Sequence, residues 1–320
     1  MKNVVKNKKQ GHIRKRTILE LIGLFILLAF TYTQLDTIKI AINEIGRSDF
    51  VFIAVATLQY WVMLPLTAIS FRILSDKRLN IWTTTLAQLA GSGPGRIIPG
   101  GLGRLSLSVV HLIKLGFKSS QAIVITLTSS MIGIIVNLLV LLVIIFFEPS
   151  ITTLFKTNNL AVTSLGGLII FLLLSTVILQ WLLHSKKTKK GVIQLLRKWQ
   201  ALFIVLRQRP VIVLRLAGIA LLILAGYVII LLFSSYALHT HLDFTDALIA
   251  LSVGVLIGGL LPTPGGIGGV EAGIASSLVF LGYGPAESTS IALLFRAITY
   301  WQPLIPGTLA YFYLRRRKLL

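Results

Sequence analysis

Long apolar runs alternate along the chain with short polar segments, and the run lengths set the expected elements. A helix rising 1.5 Å per residue needs about 20 apolar residues to cross a hydrocarbon core of about 30 Å. Runs at 18–32, 50–74, 120–147, 160–183, 210–236 and 288–314 reach or approach that length and predict six crossings. Two further apolar segments, 81–115 and 246–281, are interrupted by glycine and proline and predict something other than a simple span. A different period appears at 192–206, where Val192, Leu195, Leu196, Trp199, Leu202, Phe203 and Leu206 share one helical face. That pattern fits an interfacial amphipathic helix or a helix packed on the protein's own loops.

Composition agrees with the runs. Of 320 residues 55% are hydrophobic and only 13% charged, with a mean hydropathy of +0.86. A soluble chain of this length could not bury so many apolar runs in one core. Cysteine is absent, which removes disulfide, thiol and Cys-based metal chemistry.

The formal charge of +21 would suggest nucleic acid in a soluble protein, but the positions of the basic residues argue otherwise. With the N-terminus in the cytoplasm, 25 of the 31 basic residues fall in cytoplasmic segments. They are the seven from Lys2 to Arg16, Arg72, Lys77, Arg78, Lys114, Lys118, eight between Lys186 and Arg209, Arg215, and Arg315 to Lys318. Lys39, Arg47 and Lys156 fall outside. The positive-inside rule therefore predicts a multi-pass protein of the cytoplasmic membrane with both termini inside and no nucleic-acid partner. The first basic cluster resembles the start of a signal peptide, but no small-residue cleavage pattern follows, so the first helix is expected to be retained.

The two interrupted segments share a motif. Pro99-Gly100-Gly101-Leu102-Gly103 recurs 165 residues later as Pro264-Gly265-Gly266-Ile267-Gly268, and Leu115-Gly116-Phe117 matches Leu281-Gly282-Tyr283 at an offset of 166. On the charge map the first interrupted segment enters and leaves on the inside and the second on the outside. The expected fold is thus an all-α inverted repeat of about six crossings plus two re-entrant hairpins, as in many secondary transporters. Close packing or kinking at the glycines is the alternative. The chain reads as one membrane domain: a basic tail at 1–16, a first half at 17–160, a basic linker at 185–209 and a second half at 210–320.

Arg96, Arg104 and Arg296 remain unexplained by topology, and Glu271 joins them in the membrane plane. Ionised groups at that depth face a cavity, pair, or perform a function. Arg104 opens a half-helix whose dipole is already positive, so an anionic partner is expected there. Glu271 in the equivalent turn could complement the dipole or titrate, and Arg296 could pair with it or join the other arginines around a phosphate. The candidate binding residues are Arg96, Pro99, Gly100, Gly101, Gly103, Arg104, Pro264, Gly265, Gly266, Gly268, Glu271 and Arg296. His239, His241 and Asp243 have spacing that could ligate a metal, but a solvated loop fits them better. No nucleophile–base pairing, nucleotide loop or metalloprotease motif is present, so neither catalysis nor a cofactor is expected.

The run Leu260-Leu261-Pro262-Thr263-Pro264-Gly265-Gly266-Ile267-Gly268-Gly269-Val270-Glu271-Ala272, followed by a helix, a Leu-Gly and Arg296, resembles the signature of the lysylphosphatidylglycerol synthase transmembrane family. The similarity covers about residues 15 to 315. The first break departs from the family pattern, which carries an acidic residue after the glycine and an arginine soon after, where this chain has Arg104 and then Leu105 to Ser108. The resemblance implies a flippase-type domain moving anionic or aminoacylated phospholipid, or a polyprenyl-linked headgroup, between leaflets. In the enzymes that name the family a soluble aminoacyl-transferring domain follows, and none is expected here after Leu320. A separate synthase or glycosyltransferase and a second copy of the chain are the implied partners. A membrane enzyme, or an accessory protein of lipid-linked sugar or phospholipid synthesis, is the alternative function.

Overall fold

A computed structural model of the chain describes residues 48–75, 79–98, 101–147, 209–260 and 263–320, with Asn43 and Gly46 besides. The basic tail, the expected spans at 18–32 and 160–183, and the amphipathic segment at 192–206 lie outside the described residues.

Among the described residues three helices are long and apolar enough to cross a membrane: α1 (Phe50–Leu74), α4 (Ser119–Phe147) and α5 (Pro210–Ala237). Their starts follow from local chemistry. The Asp49 carboxylate accepts the Val51 N–H at 2.9 Å and caps α1, while Pro210 occupies the first turn of α5, where its missing N–H costs nothing. Their outer faces remain apolar, with Leu58, Val62, Ile134, Leu139, Leu142, Leu214 and Leu222 exposed. That surface suits lipid rather than water.

The first interrupted segment is a helical hairpin of α2 (Ile81–Gly91) and α3 (Leu102–Lys114), joined through a 3₁₀ turn at Pro94–Ile97. The second pairs α6 (Phe244–Leu260) with α7 (Gly269–Phe280). In both, the arms pack directly on each other. A Cβ at Gly103 would stand 2.1 Å from the Gly95 carbonyl oxygen, and one at Gly273 would stand 2.7 Å from the Gly254 Cα. Lipid tails are as apolar as leucine, so helix association in a bilayer rests on this kind of close backbone approach.

The repeat reappears as local geometry. Gly101 and Gly266, 165 residues apart, sit at φ 70° and 72°, and each carbonyl accepts the N–H four residues on, from Leu105 at 3.2 Å and from Val270 at 3.1 Å. Helices α3 and α7 then end alike. Gly116 and Gly282 donate to Ile113 and Val279, and Phe117 and Tyr283 donate to Leu112 and Leu278, which is a Schellman ending at both places.

The expected crossing at 288–314 is not continuous. It consists of α8 (Pro285–Arg296), a π turn at Ala297–Trp301 and α9 (Leu304–Arg316). Pro303 causes this, because it cannot donate to the Thr299 carbonyl four residues earlier.

The principal core joins both halves, with Tyr60 and Met63 of α1 against Val228 and Leu231 of α5, Leu251 of α6, Ile274 of α7 and Phe295 of α8. Helix α9 packs instead on α2, where Leu314 and Ala310 meet Ala87, Leu89 and Ala90. Gly93 and Gly307 set that crossing, since a Cβ at Gly307 would lie 2.5 Å from the Leu89 carbonyl oxygen.

Outside the two breaks, described charges gather at two ends of the molecule. Asp49, Asp246 and Glu287 lie at one end, where the Asp49 N–H meets the Ala237 carbonyl, Tyr283 donates to Asp246 and Thr240 donates to Glu287. Lys114 and Arg315 to Lys318 lie at the other, held together by His111 Nδ1 against the Leu319 carbonyl at 3.0 Å.

Candidate functional site

The second break is held open by glycine and closed by charge. Gly265, Gly266 and Gly268 all take positive φ, so the backbone turns without forming a regular helix until Gly269. Glu271, in the first turn of α7, accepts the Gly268 N–H at 2.9 Å through Oε2. A carboxylate there satisfies an orphan N–H and complements the helix dipole. Its Oε1 accepts Arg296 Nε at 2.8 Å, and Arg296 Nη2 donates to the Gly265 carbonyl at 3.1 Å. Arg296 is 7% exposed, so α8 ends on a buried cation, two of whose N–H donors are taken up by the second break.

The first break reaches the same place from the other hairpin. Arg96, in its 3₁₀ turn, donates through Nη1 to the Tyr300 carbonyl and through Nη2 to the Thr299 carbonyl at 2.8 Å. Thr299 is the acceptor that Pro303 leaves without a helical partner, so a guanidinium from the first half satisfies a defect in the last helix. π turns of this kind recur at functional sites.

Tyr300 links the two arginines. The Arg96 guanidinium carbon lies 4.3 Å from its ring centroid and that of Arg296 lies 4.5 Å away. Each such contact contributes about 1–2 kcal/mol when desolvated. The Tyr300 ring also explains Gly265, where a Cβ would stand 2.4 Å from its Cε2. Tyr60 of α1 and Tyr227 of α5 lie within electrostatic range of Arg96.

Arg104 behaves differently. It is exposed in the first turn of α3, with its stem against Gly91, where a Cβ would be 2.7 Å from its Cγ. Its guanidinium has no hydrogen bond or ion pair among the described residues. It nevertheless lies, like Arg96, within electrostatic range of Tyr60.

Of the residues singled out from sequence, the fold therefore assembles Arg96, Pro264, Gly265, Gly268, Glu271 and Arg296 around Tyr300, with Arg104 beside them. Gly103 and Gly266 serve the packing of the hairpin arms, and Gly101 is exposed with nothing near it. Pro99 and Gly100 lie outside the described residues. Among the described residues no group of His, Asp and Glu could hold a metal ion. His239 and His241 lie in the turn between α5 and α6. Tyr300, Thr299 and Tyr60 were not expected. The spacing Arg296-x₃-Tyr300, with Pro303 four residues after Thr299, was the available signal.

Residues 17–307 match the family model described as the lysylphosphatidylglycerol synthase TM region. The chain belongs to that family. Its family and its apolar helices make it a membrane protein, related by that family to lipid handling. No curated protein matches it.

Proposed function

We propose that this protein is a lipid translocator of the cytoplasmic membrane, moving phosphate-bearing headgroups between leaflets without chemical change. In this reading the two hairpins are re-entrant and oppositely oriented, and the basic end of the molecule faces the cytoplasm. Arm lengths support re-entry. Three of the four arms, α2, α3 and α7, of 11, 13 and 12 residues, are about 16–20 Å long, and the fourth, α6, of 17 residues, is about 26 Å, so each falls short of a hydrocarbon core of about 30 Å. Irregular backbone at that depth is tolerated where it is buried in protein or lines a wet cavity.

The observation that carries the proposal is an excess of cation at the breaks. Three guanidiniums, Arg96, Arg104 and Arg296, stand against one carboxylate, Glu271, which is already committed to Arg296. Uncompensated guanidinium in the membrane plane is costly unless an anion visits it. Arg104, backed by the N-terminal dipole of α3, offers a phosphate its two parallel N–H donors while the acyl chains stay in the bilayer. Rocking of the two halves about the hairpins would expose the headgroup alternately to each side. With no nucleotide-binding motif, movement is downhill or ion-coupled.

The test is scrambling of fluorescent phospholipids in proteoliposomes containing only the purified chain. Protein-dependent exchange between leaflets, slowed severalfold by Arg104→Ala at unchanged thermal stability, is expected. No exchange with any lipid class, or headgroup turnover in place of movement, would sink the reading and favour a membrane enzyme.

A further inference from the structure

We infer that the protein moves as two packed bodies that are not its two sequence halves, hinged at Pro65 and Pro303, and that a hydrogen bond between Trp61 and Gln302 latches them in the arrangement seen here. The inference rests on the translocator reading for its purpose, and the hinge is measurable without lipid.

Two of the long apolar stretches change core part-way along. Ala56, Tyr60 and Met63 of α1 lie in the principal core with α5, α6, α7 and α8, whereas Phe71 and Leu74 pack with Leu112 of α3 and with Ala122 and Ile125 of α4. Pro65 stands between the two sets. The last stretch repeats this. Ile291, Phe295 and Ile298 belong to the principal core, Ala310 and Leu314 pack on α2, and Pro303 stands between them. Helices α2 and α3 are arms of one hairpin, tied by Gln88 Nε2 to the Ser108 hydroxyl at 3.2 Å, so the two smaller cores move together. One body is therefore the start of α1 with α5 to α8, and the other is the end of α1 with α2, α3 and α9. Each body takes a helix end from the opposite half.

A proline withholds a donor from the carbonyl four residues back and weakens the helix against bending there. A proline at the point where a helix changes core, in two separate helices, is what two rigid bodies on short hinges require. The two weak points also meet. The carbonyl that Pro65 deprives belongs to Trp61, whose side chain packs against both the principal core and the α2–α9 core. With the Gln302 amide oriented to satisfy both its ends, Oε1 accepts the Trp61 Nε1–H at 2.7 Å and Nε2 donates to the Ile298 carbonyl at 3.1 Å. That carbonyl is left over because the Gln302 N–H reaches back five residues to Ala297, at 2.9 Å. Gln302 thus closes the π turn with one end of its amide and holds α1 with the other.

Other ties at this level are polar as well. Tyr60 shares a hydrogen bond with the Ser92 hydroxyl at the end of α2, and Arg96 of the first break holds the Thr299 carbonyl at 2.8 Å. Helix α4 also spans both bodies, and its Asn137 reaches the Ser252 carbonyl of α6 at 3.4 Å, the limit of a hydrogen bond. A single neutral hydrogen bond shifts an equilibrium by about two- to tenfold, enough to bias two arrangements without freezing either.

The sequence has no cysteine, so introduced ones are unique labelling sites. Spin labels on the full chain at Leu58→Cys and Leu309→Cys, exposed positions on opposite sides of both prolines, give the distance across the hinges by double electron–electron resonance in liposomes. Trp61→Phe keeps a large ring but removes the N–H, and should enlarge the population at a second distance by about two- to tenfold. Gln302→Leu should do the same, and the two together no more than either alone. Pro65→Ala restores a donor to the Trp61 carbonyl and should shrink that population. Distances unchanged by Trp61→Phe, or singles whose effects multiply in the double, overturn the inference. If Gln302→Leu does not reach the parent thermal midpoint, Trp61→Phe decides alone. Lipid exchange read on the same vesicles separates the two readings: a latch-dependent distance without lipid movement upholds the hinge and sinks translocation, and lipid movement at an unchanging distance does the reverse.

Discussion

Glu271 and Arg296 face each other at 2.8 Å across the second break, 25 residues apart in the chain and both largely buried. The pair does two things at once, capping α7 and holding the end of α8 against Gly265.

Removing one member leaves the other charge buried, at a cost of about 3–5 kcal/mol. Glu271→Ala and Arg296→Ala should each lower the thermal midpoint of the detergent-solubilised protein markedly. The double variant should be far less destabilised than the sum of the two, because the second substitution removes the stranded charge. Strict additivity would mean that the two side chains do not depend on each other.

A second prediction compares two glycines at helix crossings. A Cβ at Gly307 meets backbone, 2.5 Å from the Leu89 oxygen and 2.7 Å from the Gly93 nitrogen, so α9 and α2 must separate to admit it. A Cβ at Gly226 meets the Met63 sulfur at 1.9 Å, the movable end of a flexible side chain. Gly307→Ala should therefore be destabilising by about 2 kcal/mol or more, on the scale of overpacking, and Gly226→Ala by clearly less. Thermal midpoints in the same detergent check the order, and a reversed order would place the tight crossing elsewhere.

The parts of the fold legible in the sequence are those governed by local rules. The apolar runs at 50–74, 120–147 and 210–236 become helices within a residue at each end, because Asp49 and Pro210 mark starts and the one proline in their interiors, Pro65, leaves α1 continuous. Proline and glycine at the two breaks announced both hairpins, and the lone charges Arg96, Arg104, Glu271 and Arg296 lie at or beside the cluster around Tyr300. The break at residues 297–303 was hidden by its own hydropathy, since Pro303 and Pro306 lie in a run otherwise apolar enough to span. Its partner was hidden by distance. Nothing local tells Arg96 that its acceptors are the carbonyls of Thr299 and Tyr300, more than 200 residues away. Tyr300, read alone, is one aromatic among many.

That hidden break yields the third prediction. Pro303→Ala restores an N–H four residues after Thr299, in position to take the carbonyl that Arg96 Nη2 now holds at 2.8 Å. An interior proline costs a helix about 3 kcal/mol, so its loss should leave the thermal midpoint unchanged or higher. Arg96 would lose one of its two acceptors, and the link between the first hairpin and the last helix would loosen. Headgroup exchange in proteoliposomes should then fall severalfold in a protein no less stable than before. Exchange at the full rate in a folded Pro303→Ala variant would mean that the clasp of Arg96 on the π turn has no part in transport.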